Sequence, residues 1–297
     1  MPGGGGLPAA ARACIRLGPL LALALLVAVG LTAAPFDPVG LGPGQDARAY
    51  WEAARAVLEG RDPYAFGTVG QETAYLYAPA FAQAIAPLGL LPWTAFLLAW
   101  TGLLLLALRL LAGPLLLAPL LVCTFPELWG GNITLLYALA VVAGLRFAGS
   151  WALLVLTKVT PGLGLLWFAV RREWRPLAIA LGTTGAITAV SVLLAPQAWQ
   201  AWLELLRASA GGSTVSGSIP IPLVLRLPAA ALVIAWAARR DAAWLLPAGV
   251  VLALPVLWPG SLALLVGCVA LRRTEIEARV LRLLAPRATE VRPAGSL

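Results

Sequence analysis

Long apolar blocks separated by short breaks that carry arginine are the feature that most constrains this chain. Of its 297 residues 61% are hydrophobic and 11% are charged, and the mean hydropathy is +0.89. Soluble domains carry about 25% charged residues, so this chain has too little polar side chain to coat a water-soluble body. The pattern predicts an all-α polytopic membrane protein and excludes a soluble enzyme. The predicted apolar blocks cover residues 17–34, 93–112, 113–126, 133–147, 151–170, 176–195, 220–237, 242–257 and 259–271.

With a partly inserted segment over residues 75–92, these blocks predict about ten transmembrane helices, several of them short and hairpin-like. Residues 1–16 are expected to form a cytoplasmic N-terminus. The run 17–34 fits either an uncleaved first span or a cleaved signal peptide, because Thr32-Ala33-Ala34 ends in small residues. Since Pro35 would directly follow the cut, we favour the uncleaved span.

The distribution of charge and the content of metal-binding residues exclude two further kinds of site, a nucleic-acid surface and a zinc site of the His/Cys type. Twenty-one basic residues stand against 13 acidic ones, but the basic residues are spread singly or in small groups at block edges. A nucleic-acid footprint would cluster on one face, so we expect no nucleic-acid partner. The chain has no histidine and three cysteines, which excludes a zinc site of the His/Cys type. No metal and no cofactor are predicted.

The longest polar stretch, within residues 35–92, is predicted to be an extracytoplasmic loop with interfacial helices. It holds an amphipathic helix over residues 47–59, with Asp46 as N-cap and Gly60 as its stop. Arginine and glutamate alternate at i,i+4 on one face of that helix, and Tyr50 lies on the apolar face. Such a helix is expected to lie flat at the membrane surface.

Block 151–170 fits either one kinked span or two half-helices that meet at Lys158-Val159-Thr160-Pro161. The hairpin places 15 arginines inside and 5 outside, whereas the single span leaves 6 inside and 14 outside. The positive-inside rule therefore favours the hairpin, with its tip opening toward the extracytoplasmic side. On this topology residues 196–219 form a second extracytoplasmic loop and residues 272–297 a basic cytoplasmic tail.

Two ionisable residues are the strongest candidates for chemistry. Asp46 is either only a helix cap or also a general base that takes a proton from an acceptor hydroxyl. Lys158, the only lysine, either snorkels to the interface or binds a phosphate-bearing ligand at membrane depth. Asp37 is the reserve base. Asn132 is either a turn residue or a ligand for a polar head group, and Trp199 and Trp202 lie where sugar stacking is plausible.

The order of these features resembles glycosyltransferase family 87. It runs over Asp46, Tyr50, Ala53-Ala54, Gly60-Arg61-Asp62-Pro63-Tyr64, Tyr75-Leu76-Tyr77-Ala78-Pro79, Gly131-Asn132, Lys158-Val159-Thr160-Pro161 and Arg171-Arg172. The resemblance covers about Asp46 to Ala195 and implies the multi-helix fold of the glycosyltransferase C superfamily. It also implies a polyprenyl-phosphate-sugar donor, a lipid or glycan acceptor, mannose as the first candidate sugar, and a bacterial inner-membrane location. Asp46 maps onto the catalytic Asp, and Lys158 lies near the lipid-phosphate site.

The same resemblance adds Tyr50, Tyr64, Tyr77, Asn132 and Thr160 to the candidate substrate-binding residues. A transporter or flippase of a lipid-linked sugar, and a non-catalytic membrane scaffold, are the alternatives. Transporters usually contain repeated halves with matching broken helices. The sequence shows no second segment that resembles block 151–170, which favours the transferase.

Overall fold

The computed structural model describes residues 7–33, 42–65, 74–209 and 217–285, and the regular secondary structure of these residues is entirely helical. The α-helices are α1 Ala9–Thr32, α2 Gln45–Leu58, α3 Pro79–Ile85, α4 Trp93–Cys123, α5 Phe125–Gly130, α6 Thr134–Gly144, α7 Trp151–Val155, α8 Leu166–Arg171, α9 Trp174–Leu194, α10 Pro196–Ser209, α11 Leu223–Arg239, α12 Leu246–Leu252, α13 Val266–Leu271 and α14 Arg273–Leu284. Short 3₁₀ helices cover Ala86–Leu90, Ala148–Ser150, Thr160–Leu165, Ala243–Leu245 and Pro259–Leu265. The predicted all-α class is confirmed.

Three of the described helices, α1, α4 and α9, are long and apolar enough to cross a membrane. Large apolar side chains on α1 and α9 stay exposed, Leu20 at 62% and Leu193 at 83%. In water such surfaces would drive aggregation, whereas a bilayer covers them without cost. These helices support a membrane protein, and the number of about ten spans stays a prediction.

Helix α4 is interrupted at Gly113, where the expected boundary between two apolar blocks lies. The backbone there has φ 68° and ψ 177°, a conformation that a residue with a Cβ atom rarely adopts. The chain folds back after this point, because the Trp100 indole donates to the carbonyl of Gly131 at 2.7 Å. Residues 114–144 therefore form a short hairpin whose tip is α5 and the turn that follows it.

The hairpin prediction for block 151–170 is confirmed. The rings of Trp151 and Phe168 lie 6.3 Å apart in an edge-on contact. One continuous helix would separate these residues by about 25 Å at 1.5 Å per residue. The chain is non-helical between Leu156 and Val159, so α7 and α8 are two arms with Lys158 in the tip between them.

The expectation that no second segment resembles this hairpin is wrong. Helices α12 and α13 are also two arms, since a Cβ atom built on Gly267 would lie 2.9 Å from Cγ of Pro247. In both hairpins a Pro-Gly pair opens a 3₁₀ helix that runs into the second arm, at Pro161 and at Pro259. This third hairpin, which follows those of residues 114–144 and 151–170, escapes detection in the sequence because its tip holds no charged residue.

Helix α2 begins at Gln45, so the prediction that Asp46 is the N-cap is wrong. Gly44 takes that position with φ 84°, and a Cβ atom there would lie 2.5 Å from Leu97. The glycine lets the chain turn sharply against α4, which starts the helix two residues earlier than the sequence indicated. Asp46 therefore lies in the first turn of the helix, where its negative charge is favourable.

The predicted amphipathic character of α2 is confirmed, while its position at the membrane surface stays a prediction. Arg48 pairs with Glu52 at 2.8 Å and Arg55 with Glu59 at 3.0 Å, both at i,i+4. The opposite face is buried and carries many alanines, which allow a close approach to the 3₁₀ helix after α3. Its buried residues are Ala47, Ala49, Tyr50, Trp51, Ala53, Ala54 and Ala56.

Candidate active site

The first turn of α2 is anchored on the tip of the first hairpin. The backbone amide of Gly44 donates to the carbonyl of Trp129 at 2.7 Å. The carboxylate of Asp46 reaches the same turn, since its Oδ2 lies 3.4 Å from a Cβ atom built on Gly130. An acid from the polar loop is thereby held against a turn between two apolar arms.

Buried tyrosines surround this contact. The hydroxyls of Tyr50 and Tyr77 are hydrogen-bonded at 2.9 Å, and the Tyr50 hydroxyl donates to Oδ1 of Asn132 at 3.4 Å. Tyr64 donates to the carbonyl of Tyr77 at 2.8 Å. Burial raises the pKa of Tyr50 well above its usual value, and the charges of Tyr77 and Asp46 add to that increase. The phenols therefore stay protonated and act as hydrogen-bond donors rather than as bases.

Lys158 enters the site from the tip of the second hairpin. Its Nζ lies 5.4 Å from the ring centroid of Tyr77 and 5.7 Å from that of Tyr137. Within the described part of the chain the ammonium makes no ion pair and no hydrogen bond. The buried hydroxyls of Tyr137 and Thr160 also lack hydrogen-bond partners there. The half-buried cation beside the Tyr137 ring therefore forms a site suited to an anionic ligand.

Glu127 is a site residue that sequence reasoning missed. It lies in α5, between the apolar arms of the first hairpin, with 2% of its surface exposed, and its Oε1 accepts the Thr134 amide at 2.6 Å. Burial raises its pKa from 4.5 to about 8; the Asp46 charge adds to this, while the hydrogen bond and Lys158 oppose it. The only sequence signal was an acid beside Gly130-Gly131-Asn132 in a break between apolar blocks.

The tip of the third hairpin closes the site from another side. Oε2 of Glu127 lies 3.1 Å from a Cβ atom built on Gly260. Arg226 of α11 holds this tip, and its guanidinium donates to the carbonyls of Leu252, Leu254 and Pro255 at 2.6–3.0 Å. The third tip therefore contacts the first tip, which also holds the start of α2.

The two tryptophans of the second polar loop lie on α10, where they connect neighbouring elements. Trp202 donates to the carbonyl of Leu76 at 3.3 Å, and Trp199 donates to Oγ of Ser191 at 2.9 Å. Their rings meet edge-on at 5.3 Å, and Trp202 is 7% exposed. Both sit near the loop that leads to Tyr77, and sugar stacking stays a prediction.

Two further expectations concern Asp37 and metal binding. Asp37 lies outside the described residues. Among the residues that the structure describes, no group of three His, Cys, Asp or Glu side chains is arranged to hold a metal ion. The absence of metal and cofactor stays a prediction.

The comparison with known proteins agrees with the sequence resemblance. The family model of glycosyltransferase family 87 matches residues 75–286. The match includes Tyr77, Glu127, Asn132 and Lys158, while Asp46 precedes it. No curated protein and no solved structure matches the chain. Because the family match spans well over half of the sequence, this chain belongs to glycosyltransferase family 87.

Proposed function

We propose that this protein transfers a hexose, with mannose as the first candidate, from a polyprenyl-phosphate donor to a lipid or glycan acceptor. The observation that carries the proposal is the meeting of Asp46 and Lys158 around Tyr77. Lys158 Nζ lies 5.4 Å from the Tyr77 ring, and the Tyr77 hydroxyl is hydrogen-bonded to Tyr50, which lies one turn after Asp46 on α2. Sugar transfer from a lipid phosphate requires a base for the acceptor and a cation for the leaving group.

In the proposed reaction Asp46 accepts the proton of the acceptor hydroxyl. The acceptor oxygen then forms a bond to the anomeric carbon while the bond from that carbon to the phosphate oxygen breaks. The electron pair leaves on the polyprenyl phosphate, whose charge Lys158 stabilises. Attack and departure occur on opposite faces of the sugar, so the anomeric configuration inverts. Tyr50, Tyr64, Tyr77, Asn132 and Thr160 are the proposed groups for orienting the sugar and phosphate, and Trp199 and Trp202 the proposed stacking residues.

We place this site on the extracytoplasmic side of the bacterial inner membrane. The support is the cluster of arginines at the opposite end of the helices, where Arg171 donates to the carbonyl of Ala238. Arginine-rich ends stay in the cytoplasm. Reporter fusions at Arg172 and Arg240 should read cytoplasmic, and a fusion at Gly211 should read extracytoplasmic. A cytoplasmic signal at Gly211 would contradict this orientation.

The function is tested with purified protein, polyprenyl-phosphate mannose and lipid or glycan acceptors. Asp46→Asn should insert and bind donor as the wild type does, because Gly44 rather than Asp46 starts α2. Transfer should slow by at least about a hundredfold, since general bases contribute about 10² to 10⁴ in rate. Asp37→Asn is the control and should be mild. Near-normal transfer by Asp46→Asn would remove Asp46 as the base and move the search to Asp62 and Glu72.

A transporter of lipid-linked sugar remains the second candidate, because the structure contains two similar broken hairpins. Proteoliposomes loaded with labelled donor separate the two functions. Transport without sugar transfer would replace the proposal, whereas transfer that Asp46→Asn abolishes supports it. A non-catalytic scaffold would show neither activity.

A further inference from the structure

A cleft of about 350 Å³ lies at the break of α4 around Gly113, away from the candidate active site. Its position follows from α4, because Arg109 is 16 residues after Trp93, which contacts Trp51 of α2. At 1.5 Å per residue this places the cleft roughly 24 Å from that contact. Three elements form the walls: the start of α1, the break at Gly113 and the helix α14. The lining residues are Leu7, Ile15, Arg109, Gly113, Pro114, Leu115, Arg273, Glu277 and Leu281.

The polar groups of the cleft are predominantly cationic. Arg109 is exposed and makes no ion pair or hydrogen bond within the described residues. Arg273 donates to the carbonyl of Leu110 at 3.1 Å, and Arg12 donates to the carbonyl of Leu7 at the rim. The one acid in the lining is Glu277, whose Oε1 lies 3.0 Å from a Cβ atom built on Gly113. Positive charge therefore exceeds negative charge around the opening.

A second cleft at this end of the protein contains an arginine that has an ion-pair partner. It has about 220 Å³ and lies beside Trp244 and Cys268. Its Arg272 forms an ion pair with Glu275. Within the described residues Arg109 of the larger cleft has no such partner.

The walls of the larger cleft indicate a ligand that is anionic at one end and apolar at the other. Leu7, Ile15, Leu115 and Leu281 offer nothing to a free ion. Farther along α1, Leu17 and Leu20 are 47% and 62% exposed, so the helix also offers apolar side chains outside the cleft. A phosphate beside arginines with a hydrocarbon chain along a helix is the arrangement of a bound phospholipid.

We propose that this cleft binds the phosphate head group of an anionic phospholipid, with an acyl chain along α1. Arg109 and Arg12 contact the phosphate, and Arg273 closes the broken end of α4 behind it. The site is separate from the sugar-transfer site and does not depend on the proposed function. A lipid in this position would contact α1, α4 and α14 together.

The test measures thermal unfolding of the full-length protein in neutral detergent with added phosphatidylglycerol, phosphatidylcholine or inorganic phosphate. Phosphatidylglycerol should raise the melting temperature, and the other two should not. Arg109→Gln should need at least about fivefold more phosphatidylglycerol for the same increase, in line with one arginine near an anionic lipid surface. Arg175→Gln is the matched control, because Arg175 is an exposed arginine on α9, which packs against neither α1 nor α14.

A second variant separates the cleft from the general surface. Ile15→Trp fills the cleft and keeps every charge, so it should also weaken the effect of phosphatidylglycerol. Native mass spectrometry should show less retained lipid for Arg109→Gln and Ile15→Trp than for Arg175→Gln. Equal stabilisation by phosphatidylcholine or by inorganic phosphate, or unchanged lipid retention in both variants, would overturn the proposal.

Discussion

The second and third hairpins break their helices in the same way and use positive charge in opposite ways. At the third tip the cation comes from another helix, and Arg226, 4% exposed, is fully engaged with backbone carbonyls. At the second tip the cation belongs to the tip itself, and the Lys158 ammonium lies near the rings of Tyr77 and Tyr137. A broken helix leaves carbonyls without partners, and a buried guanidinium satisfies several at once. One tip is therefore completed by the protein, whereas the other leaves its charge available to a ligand.

The largest expected effect comes from removing the cation of the completed tip. Arg226→Met leaves the carbonyls of Leu252, Leu254 and Pro255 buried without donors, and each costs about 1–3 kcal/mol. The melting temperature should fall by about 10 °C or more, or the protein should fail to accumulate. Lys158→Met is the matched control and should melt close to the wild type. Equal decreases in melting temperature in both variants would show that the two cations stabilise the fold to the same extent.

The next effect concerns Lys158 at the tip of the second hairpin, and it is measured as the KM for the sugar donor. Lys158→Met should raise the KM for polyprenyl-phosphate sugar roughly tenfold to a hundredfold, because a charged hydrogen bond to phosphate is worth about 1.5–3 kcal/mol. Lys158→Arg keeps the charge but changes its shape, so it should recover only part of the affinity. Normal donor use by Lys158→Met would leave the lysine as a snorkelling anchor.

A further effect, the pH dependence of stability, is expected at Glu127, which lies between the two tips. Its folded-state pKa of about 8 exceeds the unfolded value, so folding binds a proton at intermediate pH. Stability should therefore fall as pH rises from about 4 to 8 and then level off. Glu127→Gln removes this contribution, and its melting temperature should change less between pH 5 and pH 8 than that of the wild type. Parallel melting curves across that range would mean that Glu127 is ionised in the folded protein.

Short sequence patterns predicted the elements whose structure depends on residues close together in the chain. The i,i+4 pairs of Arg48 and Arg55 indicated α2. The segment Lys158-Val159-Thr160-Pro161 indicated where a break could lie, and the arginine count favoured the hairpin that the structure contains. The start of α2 was misplaced because tertiary contact with Leu97, rather than side-chain capping, determines the conformation of Gly44.

The parts that depend on distant contacts could not be predicted in the same way. In the sequence, Arg226 is an arginine near the start of an apolar block. Only the fold brings it to carbonyls 26–29 residues away. In the sequence, Glu127 is an acid in a break between apolar blocks. Only the fold places its carboxylate against Thr134 and Gly260. Burial and hydrogen bonding of both residues are properties of the assembled hairpins, so no local spacing reveals them.

The hydrogen bond from Arg273 to Leu110 joins residues that are 163 positions apart, and it has a consequence for synthesis. At a translation rate of about 5–20 residues per second, the broken end of α4 waits roughly 8–30 s before its partner leaves the ribosome. During that interval the Leu110 carbonyl relies on water, on lipid head groups or on the insertion machinery. The last described helix therefore closes a structure whose first half is already in place, and a chain that stops before Arg273 leaves that end of α4 open.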